Sequence, residues 1–187
     1  MNVKGTVYTT TKATIIEAFG VQRWDSFMAK LAEKDNYFKN NLIMSITLVP
    51  QEEIIIFFDE LINEFFYGDK ESYVMFGMVG AKYGLSPKGP YSSFLLTKDI
   101  KKFIELALPK LWETYYDAGK VITRLENNIV YIKITGFTIK HYYFEKLLMG
   151  FFRQTLKAFG KKSVATMVRS LSMGHDDMLF KYELKDS

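Results

Sequence analysis

The sequence contains no cysteine. Disulfides, thiolate nucleophiles and cysteine-held zinc or iron–sulfur centres are therefore excluded. Histidine is nearly as scarce. His141 and His175 lie far apart in the chain, and neither stands in a His-x-x-x-His or His-Glu-x-x-His frame. A histidine-built metal site is not expected, and both read as surface residues. Asp176-Asp177 beside His175 reads as an acidic turn. No Gly-x-Ser-x-Gly elbow, phosphate loop or dinucleotide fingerprint occurs. Glu52 and Glu53 are explained by the positive end of a helix dipole. With no local Ser/His/Asp set either, catalysis is not expected.

Lys and Arg never run to five in a row, so no nucleic-acid arm or polybasic membrane patch is expected. The longest apolar stretches, such as Ile54-Ile55-Ile56-Phe57-Phe58, fall far short of the ~18 residues that span a bilayer. The opening Met1-Asn2-Val3-Lys4-Gly5-Thr6 has no apolar signal-peptide core, and a cytoplasmic location is expected. What the chain does have is apolar and aromatic mass: 48% hydrophobic and 16% aromatic over 187 residues. That is enough to bury a real core, so one ordered domain over 1–187 is expected.

Residues 3–9 are β-prone and suit a first strand or an extended lead-in. Thr14 and Glu17 fit a capping box opening a helix that Gly20 ends. Trp24, Phe27, Met28 and Leu31 keep helical spacing. The apolar stretch 42–49 is strand or loop, which periodicity does not decide. Pro50 suits the first position of a helix that carries Ile54, Phe57, Phe58, Leu61, Ile62 and Phe65 and stops at Gly68. Its apolar face is wide, so it is buried on most sides or meets a partner.

A helix over 71–83 contains Gly77 and Gly80, each costing about 1 kcal/mol relative to Ala. Close approach of another backbone is the usual reason for such glycines, and a ligand the rarer one. A turn-rich loop follows over 84–90. Thr97 or Asp99 caps a long helix to 116, and Pro109 inside it predicts a kink or break. After Gly119 the period changes from 3.6 to 2. Residues 121–125 and 129–135 alternate around Asn127-Asn128, a tight hairpin. An amphipathic helix with Phe144, Leu147, Leu148, Phe151 and Phe152 ends at Gly160, and a second hairpin spans 163–184. The expected class is α+β: a helical first two-thirds, then hairpin–helix–hairpin forming a four-stranded antiparallel sheet. The aromatic cluster of Trp112, Tyr115, Tyr116, Phe137, Tyr142, Tyr143 and Phe144 suits core packing or a pocket that is part apolar, part wet.

Three segments carry a resemblance to a known group: Val3-Lys4-Gly5-Thr6, Leu111-Trp112-Glu113-Thr114-Tyr115-Tyr116-Asp117-Ala118-Gly119, and the stretch from Gly136-Phe137 to Gly160 with its closing hairpin. They look like an uncharacterised bacterial family abundant in myxobacteria. More distantly the chain resembles a superfamily of one fold. It includes the heme nitric-oxide/oxygen-binding (H-NOX) domain, the 4-vinyl-reductase-type small-molecule-binding domain and small subunits of the Golgi transport particle TRAPP. The resemblance implies a sensory or ligand-binding domain, or alternatively a protein-interaction module acting as a homodimer or adaptor.

An H-NOX domain holds iron through a His on the helix that here spans 97–116. That stretch has none, and Lys101 falls near the ligand position. A protonated Lys does not ligate heme. Of the Tyr-x-Ser-x-Arg clamp on the propionates only Tyr131 corresponds, in Tyr131-Ile132-Lys133-Ile134-Thr135. Where the 4-vinyl-reductase type has a Cys pair, this chain has Ser170 and Met178. The expectation is therefore a non-catalytic domain without heme, sheltering a small apolar or amphipathic molecule, with a heme gas sensor as the rival reading. The candidate pocket residues are Lys101, Ile104, Trp112, Tyr115, Tyr131, Phe144 and Leu148.

Overall fold

The computed structural model describes residues 1–87, 89, 91–96 and 99–185. Strand β1 (Asn2–Lys4) pairs antiparallel with β2 (Leu48–Pro50), with Val3 opposite Val49. The strand expected over 3–9 thus stops at Lys4, and helix α1 (Thr6–Phe19) takes the rest. Its threonines tolerate a helix because their hydroxyls bond back along it. Thr10 Oγ1 donates to Thr6 O at 2.7 Å, Thr11 Oγ1 to Val7 O at 2.8 Å, and Thr14 Oγ1 to Thr10 O at 3.0 Å. Thr14 is therefore mid-helix, and the expected capping box does not form. Gly20 ends the helix at φ +87° as expected.

Helices α2 (Val21–Lys34), α3 (Asn36–Asn40) and α4 (Gln51–Phe66) follow. Pro50 sits one residue before α4 rather than at its first position. The ring of Phe57 lies within 5.1–6.2 Å of Tyr8, Trp24, Phe27 and Phe38. Ile54, Phe57, Phe58, Leu61, Ile62 and Phe65 are all buried. The wide apolar face of α4 is thus consumed inside the chain and does not call for a partner.

Helix α5 (Ser72–Gly84) crosses α8 (Tyr142–Ala158) at backbone contact. A Cβ on Gly77 would lie 1.8 Å from Leu147 O, and one on Gly150 2.0 Å from Val74 O. Only glycine fits at either position. A short 3₁₀ turn (Ser92–Leu95) leads on. Of the two candidate caps for the next helix, Thr97 lies outside the described residues, as do Lys88 and Pro90 of the 84–90 loop. Asp99 caps it, accepting from Lys101 N at 2.9 Å.

That helix is a composite: α6 (Ile100–Lys102), a π-helical turn (Phe103–Ala107) and α7 (Leu108–Glu113). Pro109 has no N–H to give the carbonyl of Glu105, and the widened turn stands immediately before it. Thr123 Oγ1 donates to Ile104 O at 2.6 Å, satisfying a carbonyl of that turn from the sheet.

Strands β3 (Lys120–Glu126), β4 (Ile129–Thr135), β5 (Lys162–Arg169) and β6 (Met178–Lys185) form one antiparallel sheet in the order β3-β4-β6-β5. The first hairpin turns at Asn127, φ +52°. The alternation is clean: Val130, Ile132 and Ile134 of β4 and Met178, Phe180 and Tyr182 of β6 are buried. Helix α8 covers this face, with Phe152 6.0 Å from Phe180 and Tyr182 O–H donating to Met149 O at 3.0 Å. The α+β architecture read from the sequence is the one observed.

Candidate functional site

A small, partly open cavity of about 40 Å³ lies where α1, α5, α7 and α8 converge. Val7, Thr10 and Thr11 form its α1 wall, Phe76, Gly77 and Gly80 its α5 wall. Leu108 and Trp112 of α7 close another side, followed by Tyr115 and Tyr116. Leu147, Leu148 and Phe151 of α8 complete it. Gly80 differs from Gly77: a Cβ there would meet nothing within 4 Å. The two threonine hydroxyls are already bonded to α1 carbonyls, so that wall is effectively apolar.

Tyr115 and Tyr116 are held in place by main chain. Lys4 N–H donates to Tyr115 O at 2.7 Å, and Val3 bridges Tyr116. Gly84 leaves room for the phenol of Tyr115, whose oxygen lies 3.0 Å from where a Cβ would be. Burial pushes the Tyr115 phenol well above its ordinary pKa, helped by Tyr91 and Tyr116, and burial alone raises Tyr116. Both are neutral O–H groups at physiological pH. The Trp112 ring lies 4.0 Å from that of Tyr116, tilted by 30°, and its Nε1–H donates to Ala118 O at 3.1 Å.

Of the residues singled out in the sequence, Trp112, Tyr115 and Leu148 come together around this cavity. Four do not. Lys101 is exposed on α6. Ile104 is buried in the π-helical turn beneath β3, away from the cavity. Tyr131 alternates out of phase with Val130 and Ile132, which puts it on the outer face of the sheet, with the Arg124 guanidinium 5.1 Å from its ring. Phe144 is fully buried and packs at 5.7 Å on Phe58 and 6.3 Å on Phe137, behind the cavity wall. The α1 and α5 walls were not anticipated. The signal for them was the pairing of a small-residue helix, with Gly77 and Gly80, and a threonine-rich one.

His141 is not a simple surface residue. It caps α8, its Nδ1 accepting from Phe144 N–H at 3.2 Å, while Nε2 donates to Asp59 Oδ2 at 3.3 Å. Tyr73 O–H donates to Asp59 Oδ1 at 2.5 Å. Burial would raise the Asp59 carboxyl, but the hydrogen bonds from His141 and Tyr73 and the charge of Lys70 outweigh it and hold the pKa below the usual value. This latch joins α4, α5 and α8. His175 is exposed in the β5–β6 connection, its Nδ1 3.1 Å from Ser170 O. Ser170 and Ser172 donate their hydroxyls, and Ser172 its N–H, to the buried Glu145, tying that connection to α8. Glu53 is pushed up to about 7 by burial and by Asp35.

No protein-family model matches the chain, and no curated protein matches it in sequence. Solved structures match its fold over nearly its whole length. One is an H-NOX protein from Shewanella oneidensis in the Fe(II) ligation state, at TM-score 0.76 and 11% identity, covering 98% of this chain and 97% of that one. Another is an oxygen-binding H-NOX domain related to soluble guanylate cyclases, at TM-score 0.69 and 13% identity over 98% and 95%. A third is an unliganded Fe(II) H-NOX protein variant from K. algicida, at TM-score 0.65 and 12% identity over 98% and 97%. The fold is H-NOX-like.

The residues that line the cavity include no histidine. Both histidines are engaged or exposed elsewhere. Among the described residues no three His, Cys, Asp or Glu side chains group to hold a metal. None of their helices is long and apolar enough to cross a membrane.

Proposed function

We propose that this chain is a non-catalytic sensory domain that admits a small apolar molecule to the α1/α5/α7/α8 cavity and does so without a His-ligated heme. The carrying observation is that small, mostly apolar space, lined by Trp112, Leu148 and two neutral tyrosines and by no imidazole, inside an H-NOX-like fold. Sites for drug-sized ligands run to roughly 300–1,000 Å³. At about 40 Å³ this one suits a diatomic molecule or a noble-gas atom, not a porphyrin. The chain supplies a mostly apolar wall of aliphatic and aromatic side chains, Tyr115 and Tyr116 among them. The latch and the glycine crossing hold the wall in shape.

Two measurements test the reading. Heme reconstitution is expected to give a visible spectrum with no shifted Soret band. A shifted, stoichiometric band would replace this proposal with the heme gas-sensor reading. Xenon is expected to bind in the cavity, seen as line broadening in ¹²⁹Xe NMR that Gly80→Leu abolishes. Xenon spectra identical for both proteins would remove the cavity as a binding site.

A further inference from the structure

Helix α8 covers one face of the four-stranded sheet, and the other face is open. Strand alternation gathers on the open face cations that the sequence scatters, each set apart by an inward-facing neighbour. Lys120 and Arg124 come from β3, and Lys133 from β4. Lys181 and Lys185 of β6 and Lys162 and Arg169 of β5 continue the array. Three carboxylates share the face. Glu126 pairs with Arg124 at 3.0 Å, and Glu183 with Lys181 at 2.7 Å. Asp177 meets both Lys133 at 3.1 Å and Arg169 at 2.6 Å, and Asp176 is exposed beside it in the β5–β6 connection. Lys120, Lys162 and Lys185 make no ion pair among the described residues. Seven of the chain's 25 cations thus meet three of its 21 carboxylates here, and the other 18 of each balance. The formal net charge of +4 is the charge of this one face.

We infer that this face docks on an anionic lipid bilayer as a peripheral contact. Charge selects an anionic surface over a neutral or cationic one. What stands between the cations selects lipid over nucleic acid. Ile122 of β3 is 56% exposed, and Val164 and Val168 of β5 are 45% and 47% exposed. Aliphatic groups beside cations can enter the acyl boundary while the cations stay at the phosphates. Tyr131, between Arg124 and Lys181 across the strands, carries the amphipathic ring that settles at headgroup level. Nucleic acid asks for other groups: rings free to stack on bases, and amides that read base edges. Among the described residues Tyr131 is the one ring on this face, and the Arg124 guanidinium already sits 5.1 Å from it. None of the four strands contains Asn or Gln. The cations span ~14 Å from β3 to β5, three strand spacings, so they meet a surface and not a single small anion. The inference is independent of the inner cavity.

The test is co-sedimentation of the full chain with mixed phosphatidylcholine–phosphatidylserine vesicles, against vesicles of phosphatidylcholine alone. Binding is expected to the mixed vesicles only, and to be lost at ~1 M salt, where screening acts beyond about 3 Å. Each cation near an anionic leaflet contributes about fivefold to partition. Lys120→Glu with Lys162→Glu should therefore weaken binding by more than about a hundredfold. Lys39→Glu with Lys82→Glu changes the net charge equally, but on α3 and α5, and should weaken it by less than about tenfold. Ile122→Ser should weaken it severalfold at unchanged charge. All five positions are exposed, and circular dichroism melts establish that the variants fold. Absence of binding to the mixed vesicles overturns the proposal, as does equal binding to phosphatidylcholine alone. Equal losses from the two charge-reversed pairs would make binding a matter of net charge and overturn the face. Binding indifferent to Ile122→Ser overturns the part given to the aliphatic side chains. The rival ligand is a poly(U) oligonucleotide, followed by fluorescence anisotropy. Oligonucleotide binding that Lys120→Glu with Lys162→Glu abolishes, without vesicle binding, assigns the face to nucleic acid instead.

Discussion

Helix α5 meets its two neighbours in opposite ways. Toward α8 it has no clearance: Gly77 and Gly150 bring two backbones into contact, and Tyr73 adds a hydrogen bond to the latch of Asp59 and His141. Toward α1 it stands off, leaving the cavity at Gly80 and a groove at Met75 and Val79. Two glycines three residues apart on one helix thus have opposite meanings. One is required by packing. The other marks unfilled space. Glycine in a helix carries a similar intrinsic penalty at either position, so what differs is the neighbour.

The contrast can be broken most forcefully at the tight side. Gly77→Ala forces α5 and α8 apart, and a loss of about 1–3 kcal/mol is expected, read as a melting temperature lower by roughly 3–10 °C. Loosening the latch should cost less. His141→Ala removes the α8 cap and should destabilise by about 1 kcal/mol in chemical denaturation, with His141→Asn recovering most of it. The open side sharpens the comparison by responding in the other direction. Gly80→Ala adds a methyl to empty space and removes a flexible residue from a helix, so a gain of about 0.5–1 kcal/mol is expected.

The smallest effect is the pH dependence of the latch. The Asp59 pKa is depressed in the fold, so its contribution is present above the unfolded value of about 4 and is lost as pH falls through the folded value. Asp59→Asn should therefore flatten the acid side of a melting-temperature-against-pH profile below about pH 4 and lower the plateau above it.

How much of this was legible in the residues depends on which half is considered. The hairpin–helix–hairpin was legible because a change of period from 3.6 to 2 at Gly119 is a local signal and the sheet obeys it, although the strand expected over 163–173 ends at Arg169. The start of the chain was not. Val7, Thr9, Thr10 and Thr11 have strand propensities, and what makes them helical is non-local: burial of Val7 and Ile15 against α4 and α5, with each hydroxyl absorbed by a carbonyl one turn back. The site was half legible for the same reason. Trp112, Tyr115 and Leu148 lie on elements whose faces could be phased from the sequence. The α1 wall belongs to the misread segment. Tyr131 was assigned to the pocket by resemblance, while its own strand alternation turns it outward.

The π-helical turn at Phe103–Ala107 has a consequence for angle as well as for hydrogen bonding. Topologically it is a helix with one residue too many, and Leu106, 64% exposed, stands out from it toward solvent. One residue is about 100° of rotation. Everything before the turn is therefore twisted out of phase with everything after it. A continuous wheel drawn through residues 100–116 places Lys101 on the same side as Trp112, whereas in the molecule one faces solvent and the other the cavity. Deleting Leu106 would remove the phase slip and swing the α6 turn by about that angle, changing which side chain at 100–102 looks inward.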